Sequence, residues 1–235
     1  MAETHHELIG RLAHVLALLS DTDSIVDRLC EAGRQMLDAD GAAITLRMDG
    51  RHRVTVSATD DLAAKLEDLQ DVVGEGPSID AVRTGSLVVA KFGDDTDEQW
   101  SLMYDRGYRT SLGGTILAVP LRAVVKTFGS LTVHRRAPVS SAGDITGRFL
   151  GVTVGTALLQ DPQLHELGQI HSELWSSRAQ VHQATGIVAQ VSVSPEDALA
   201  LLRGQAFAQN MTLLDVAQQV VDRTINFRHF VIGGD

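Results

Sequence analysis

Only one cysteine, Cys30, occurs in the 235 residues, so no disulfide can form within the chain, as fits a reducing compartment. Aromatic residues supply 4% of the sequence while hydrophobic residues supply 44%, so the core must be aliphatic: Leu, Val, Ile and Ala. No segment is long and apolar enough to span a bilayer. The opening Met1-Ala-Glu-Thr-His-His-Glu7 lacks the basic and apolar stretches of a secretion signal, so a cytoplasmic protein without membrane contact is expected. Positive charge is also short. The net charge is −10 at pH 7, which argues against non-specific attraction to nucleic acid. The last third does not escape this. Arg178, Arg203, Arg223 and Arg228 face Glu166, Glu173, Glu196, Asp197, Asp215, Asp222 and Asp235. Any nucleic-acid contact there has to be local and geometric.

What is present begins with helical spacing. Leu8, Leu12, Val15, Leu16 and Leu19 recur three and four apart, and Ser20-Asp-Thr-Asp23 stops that helix and caps the next. The second helix runs to about Leu37 with Ile25, Leu29 and Met36 on one face, and Cys30 within it reads as a small buried hydrophobe. Residues 42–48 and 54–58 read as strands around the hairpin-favouring Asp49-Gly50. A short helix over 60–69 follows, then a glycine-bounded segment, 74–85, with another short helix inside. Further strands are expected at 87–90, 111–121 and 128–134, the last two joined through 122–127. A helix over 145–159 ends at Asp161-Pro162. Mixed helices and strands thus fill 1–160, a first domain, and 161–235 reads as a second, all-helical one.

In that second domain Leu167, Ile170, Leu174, Ser177, Val181, Ala184, Val188 and Val191 alternate three and four apart, the seam of a coiled coil, so Leu167, Ile170, Leu174 and Val181 are expected to pair two chains. Ser194-Pro195-Glu196-Asp197 opens a second helix with a capping serine, proline at the first helical position and two acids in the first turn. Thr212 with Asp215 three residues on forms a capping box for a third, whose stripe is Leu213, Val216, Ala217, Val220 and Val221. Three such stripes bury best when a helical hairpin packs on a long first helix.

The catalytic signals are weak. Gly74, Gly76 and Gly85 match neither a phosphate loop nor a dinucleotide fingerprint and read as turn residues. The histidines do not fall at metal-ligand spacing, so no metal or other cofactor is expected. Ser78 lacks an elbow motif with His and Asp partners. The chain is read as a non-enzyme.

Ser177-Arg178-Ala-Gln-Val-His-Gln183-Ala184-Thr185-Gly186-Ile187-Val188 resembles the opening of ANTAR domains, and Ser194 to Ala206 and Asn210 to Ala217 continue the pattern in order and spacing. Residues 20–160 resemble a GAF domain, through Gly74 to Gly85, Gly114-Thr-Ile-Leu-Ala-Val-Pro120-Leu121 and Phe128-Gly129-Ser-Leu131. The fold class this implies is α+β: a GAF-like antiparallel sheet flanked by helices, then a coiled-coil helix and a three-helix ANTAR module. The resemblance implies a regulator that binds tandem stem-loops in leader RNA and prevents a terminator from forming. It also implies a homodimer joined through the helix before the module, gated by the GAF domain, which can hold a small molecule. At Thr185 the family usually carries lysine, so one phosphate contact is missing.

Within the motif Arg178 and Arg203 are candidates for phosphate or stacked-base contact, since their nearest acids, Glu173 and Asp197, lie five and six residues away, poor spacing for helical pairs. Gln183, Thr185, Asn210 and Thr212 offer hydrogen bonds to base edges or 2′-hydroxyls, although Thr212 doubles as a cap and Asn210 suits a left-handed turn. Gly186 in mid-helix costs about 1 kcal/mol against alanine. It demands close helix packing or close approach of RNA, and packing is the expectation. Two other classes stand beside this reading. A DNA-binding helix-turn-helix would expose Asp215, Gln218, Gln219 and Asp222 to phosphate, which is unfavourable. A protein-interaction module or ligand-binding enzyme on the GAF fold is the third.

Overall fold

The computed structural model describes residues 4–20, 24–47, 53–92, 98–100, 103, 114–123, 126–136, 141–161, 172–190, 194–209, 211–225 and 227. The chain divides into two compact units, Met1–Gln70 with Glu75–His165, and Asp71–Gly74 with Glu166–Asp235.

The first unit opens with α1 (His5–Leu18), capped by Thr4 in a capping box with Glu7, and α2 (Ile25–Met36), capped by Ser24. Then come β1 (Gly41–Arg47), β2 (Arg53–Ala58), α3 (Asp61–Val73), α4 (Pro77–Thr84) and β3 (Val88–Phe92). A 3₁₀ turn at Glu98–Trp100 precedes β4 (Gly114–Ala123), β5 (Lys126–Arg135) and α5 (Ser141–Gln160). The five strands form one antiparallel sheet in the order β2-β1-β5-β4-β3. The expected six-residue connection between the last two strands is shorter. Arg122 still pairs with Thr127 and Ala123 with Lys126, because the β-prone residues on both sides extend the ladder. The Asp49-Gly50 turn lies outside the described residues.

Alternation along the strands decides the core. Ile44 and Leu46 of β1, Leu117, Val119 and Leu121 of β4, and Leu131 and Val133 of β5 face one side. There they meet Leu8, Leu12 and Val15 of α1, Leu29, Cys30 and Met36 of α2, and Leu150, Val154 and Leu158 of α5. Helix α5 lies close because of its glycines. A Cβ at Gly151 would sit 2.6 Å from the Pro120 carbonyl oxygen, and one at Gly155 would sit 2.5 Å from that of Arg122. Cys30 is fully buried, and burial pushes its thiol up to about 12.

The other sheet face carries polar side chains. Glu67 of α3, almost fully buried, accepts from Arg53 Nη2 (2.6 Å), Thr45 Oγ1 (2.9 Å), Ser78 Oγ (3.0 Å) and Gln70 Nε2 (3.0 Å). Gln70 Oε1 accepts from the Ser78 main-chain N–H at 2.8 Å. Gly76, with φ +147°, admits this packing, since a Cβ there would collide with the Gln70 side chain. Ser78 is therefore a buried hydrogen-bonding residue tying α4 to α3 and to Arg53 of β2. Asp80, next along α4, accepts from Trp100 Nε1 at 3.1 Å and fixes the 3₁₀ turn.

The second unit holds α6 (Ser172–Ala189), α7 (Pro195–Gln209) and α8 (Leu213–Val221). Ala184 and Val188 of α6, Ala198, Leu202 and Ala206 of α7, and Val216, Ala217 and Val220 of α8 form its core. The small residues Ala184, Ala198, Ala206 and Ala217 are fully buried, so the three helices approach closely.

Candidate nucleic-acid interface

The candidate site rests on α6. Because Ala184 and Val188 are turned into the core, residues 183, 186 and 190 are carried to the opposite side by the 100° step. Gln183, Gly186 and Gln190 are all exposed. Together they make a stripe with no formal charge and two amide side chains flanking a bare stretch of helix backbone. A Cβ built at Gly186 meets nothing within 4 Å. The expected packing reason for this glycine is thereby corrected. Nothing inside the described structure needs the missing side chain, and its backbone φ is not left-handed.

Thr185 stands beside this stripe, half-buried. Its hydroxyl donates to the Val181 carbonyl oxygen one turn back at 2.7 Å. That proton is spent inside the helix, so Thr185 can meet a ligand only as an acceptor. Arg178 lies on α6 two turns before Thr185, on the same side of the helix axis. Arg203 of α7 is half-buried, and within the second unit its Nε donates to the main-chain carbonyl oxygen of Asp71 at 3.1 Å. Asn210 lies outside the described residues.

Thr212 caps α8. Its Oγ1 accepts from the Asp215 N–H at 3.1 Å, and Asp215 Oδ2 accepts from the Thr212 N–H at 3.3 Å. Ser194 caps α7 in the same manner, accepting from the Asp197 N–H at 3.1 Å. The outer side of α8 exposes Asp215 and Asp222, with Gln218 bonded to Asp222 at 2.8 Å, and so sets carboxylates where a DNA-reading helix would meet phosphate.

Of the residues expected to pair two chains, Leu167 and Ile170 lie outside the described residues, and Leu174 is placed on α6. Val181 packs at the margin of the module's own core. Two further positions of the heptad, Ala184 and Val188, are spent inside that core. The buried cluster around Glu67 was missed at the sequence level. The available signal was Glu67 and Gln70 sharing a helical side with Ala63 and Leu66.

An antiparallel sheet covered by helices on one face and by a polar, helix-capped layer on the other, followed by a small-residue three-helix module with an uncharged outer stripe, defines a two-part regulatory architecture with no span-forming helix among the described residues. The family model described as GAF domain matches residues 20–159, more than half of the chain, and the chain belongs to that family. The model described as ANTAR domain matches residues 173–221. This combination is typical of regulatory, non-catalytic proteins. No curated protein matches the chain. Among solved structures, the GAF domain of an Acinetobacter phosphoenolpyruvate-protein phosphotransferase is similar at 14% identity and a TM-score of 0.48, covering 72% of this chain and 100% of that one. A GAF domain/HD domain protein from Geobacter sulfurreducens is similar at 18% identity and a TM-score of 0.39, covering 63% and 94%.

Proposed function

We propose that the chain is a cytoplasmic RNA-binding regulator of transcription antitermination. In this reading residues 1–160 sense a signal, which a small molecule can deliver, and residues 161–235 bind paired stem-loops in leader transcripts as a homodimer. Occupation of the stem-loops denies their strands to a terminator. The observation that carries the reading is the open glycine of α6 between Gln183 and Gln190. A mid-helix glycine that nothing internal requires is explained by an outside partner that comes against the backbone itself. Folded RNA loops offer unpaired bases and 2′-hydroxyls to amide side chains, without demanding the broad basic field that this acidic chain lacks.

Arg178 supplies the charged contact from the same helix, and Arg203 a second by exchanging its present main-chain bond for phosphate. Thr185 accepts, Asn210 adds a contact from the turn before α8, and Thr212 contributes chiefly by holding α8 in place through its cap. The carboxylates on α8 weigh against the DNA-binding alternative. The test is a mobility-shift titration of the full chain with leader RNAs that carry two adjacent stem-loops, against duplex DNA of equal length. Binding to the RNA and not to the DNA is expected. Absence of RNA binding by folded protein at moderate salt defeats the proposal.

A further inference from the structure

Helix α5 carries an outer face that nothing in the first unit covers. Ile145, Val152 and Leu159 stand seven residues apart, so they line up along one side of the helix over about 21 Å. They are 39%, 56% and 42% exposed. The opposite side of the helix is turned to the sheet by Gly151 and Gly155, which fixes the row outward. Charge is absent where a solvated face would have it. Residues 149–160 contain no charged side chain, and the helix's only two, Asp144 and Arg148, pair with each other at 3.1 Å. Helix α1 runs alongside, with the His5 ring edge-on to Phe149 at 5.4 Å, and Ile9, one turn on, is 48% exposed.

We infer that this row is the seam through which two copies of the chain pair, α5 against α5 about a two-fold axis. The inference rests on the homodimer of the proposed function and places its contact on the sensor unit, where the heptad reading had placed it from Leu167 onward. A second copy fits for three reasons. A straight row with a seven-residue period matches a helix of the same period. A two-fold contact sets each residue near its own image, so a charge in the row would face a like charge, and there is none. The seven-residue step also resumes in the sequence at Leu167, Leu174 and Val181 after a single eight-residue step from Leu159. The positions α6 spends in its own core, Ala184 and Val188, are thus not needed to hold the dimer.

The test uses Val152→Cys in the full chain. Cys30 is buried with a raised thiol and does not compete, so a disulfide-linked dimer under mild oxidation reports the 152–152 approach. Lys65→Cys, on exposed α3, is the collision control and should stay monomeric on the gel. In light scattering, Val152→Lys with Leu159→Lys should raise the dimer dissociation constant about a hundredfold, with an unchanged circular dichroism spectrum. A wild-type chain that is monomeric at every concentration overturns the inference. So does a dimer that cross-links through Leu174→Cys and not through Val152→Cys. A protein that cross-links at position 152 yet binds no RNA supports the seam while defeating the RNA reading, so the two failures are distinguishable.

Discussion

Gly186→Ala moves stability and RNA affinity in opposite directions if the glycine serves an external partner. In a helix interior alanine is favoured over glycine by about 0.8–1.0 kcal/mol, because glycine loses more backbone freedom on folding. Elsewhere a clash can cancel that gain, but here the new methyl meets nothing within 4 Å. The variant should therefore be more stable by about 1 kcal/mol, which raises the melting temperature of a module of this size by roughly 4–8 °C if it unfolds as its own unit. In the complex the same methyl is inserted between the helix backbone and RNA. Overpacking of that kind costs about 1–3 kcal/mol, or roughly 5- to 150-fold in affinity. Urea titration followed by circular dichroism reads the first effect, and a mobility-shift titration reads the second. A destabilised variant refutes the open-space geometry. A stabilised variant with unchanged RNA affinity removes Gly186 from the interface.

Three further outcomes follow from the same structure. Arg178→Ala should weaken RNA binding and lower the salt dependence by about one unit of slope without altering the melting curve; an unchanged slope means that Arg178 does not touch phosphate. Arg53→Met should cost about 3–5 kcal/mol in chemical denaturation of the first unit, because it leaves the Glu67 carboxylate buried without its guanidinium. A cost below about 1 kcal/mol, the range of exposed pairs, would show that water reaches this cluster. Cys30 should resist a thiol-specific disulfide reagent at pH 8 in the folded protein and react fully in denaturant. Burial disfavours the thiolate, so reactivity grows only as pH climbs toward about 12. Rapid labelling at pH 8 contradicts the buried position.

The sequence exposed those parts of the fold that local chemistry decides. The caps at Ser194 and Thr212 are formed by the residues that spacing nominates, and the small residues Ala184 and Ala217 are where the helices come together. It was silent where a third element decides. The period of Val181, Ala184 and Val188 marks an apolar side of a helix, but period does not say what covers it, and α7 and α8 cover most of it. Composition shows the cost of Gly186 and cannot show that its surroundings are empty. Glu67 looks like an ordinary surface acid of an amphipathic helix until Arg53, twelve residues beyond the end of β1's buried run at Thr45 in spatial pairing rather than in sequence, is folded against it. At the β4–β5 hairpin no Gly, Asn or Asp marks the turn, so the strands were read too short by a few residues at the facing ends.

Whether folded RNA meets the outer side of α6 is the claim on which the account depends most. Its most direct measurement is sequencing of the RNA cross-linked to the full chain in its own cell, paired with the Gln183→Ala variant. The account predicts enrichment of leader segments with two adjacent stem-loops, and loss of that enrichment in the variant. Recovery of RNA no different from an uncrosslinked control, from cells that hold the folded protein, would contradict it.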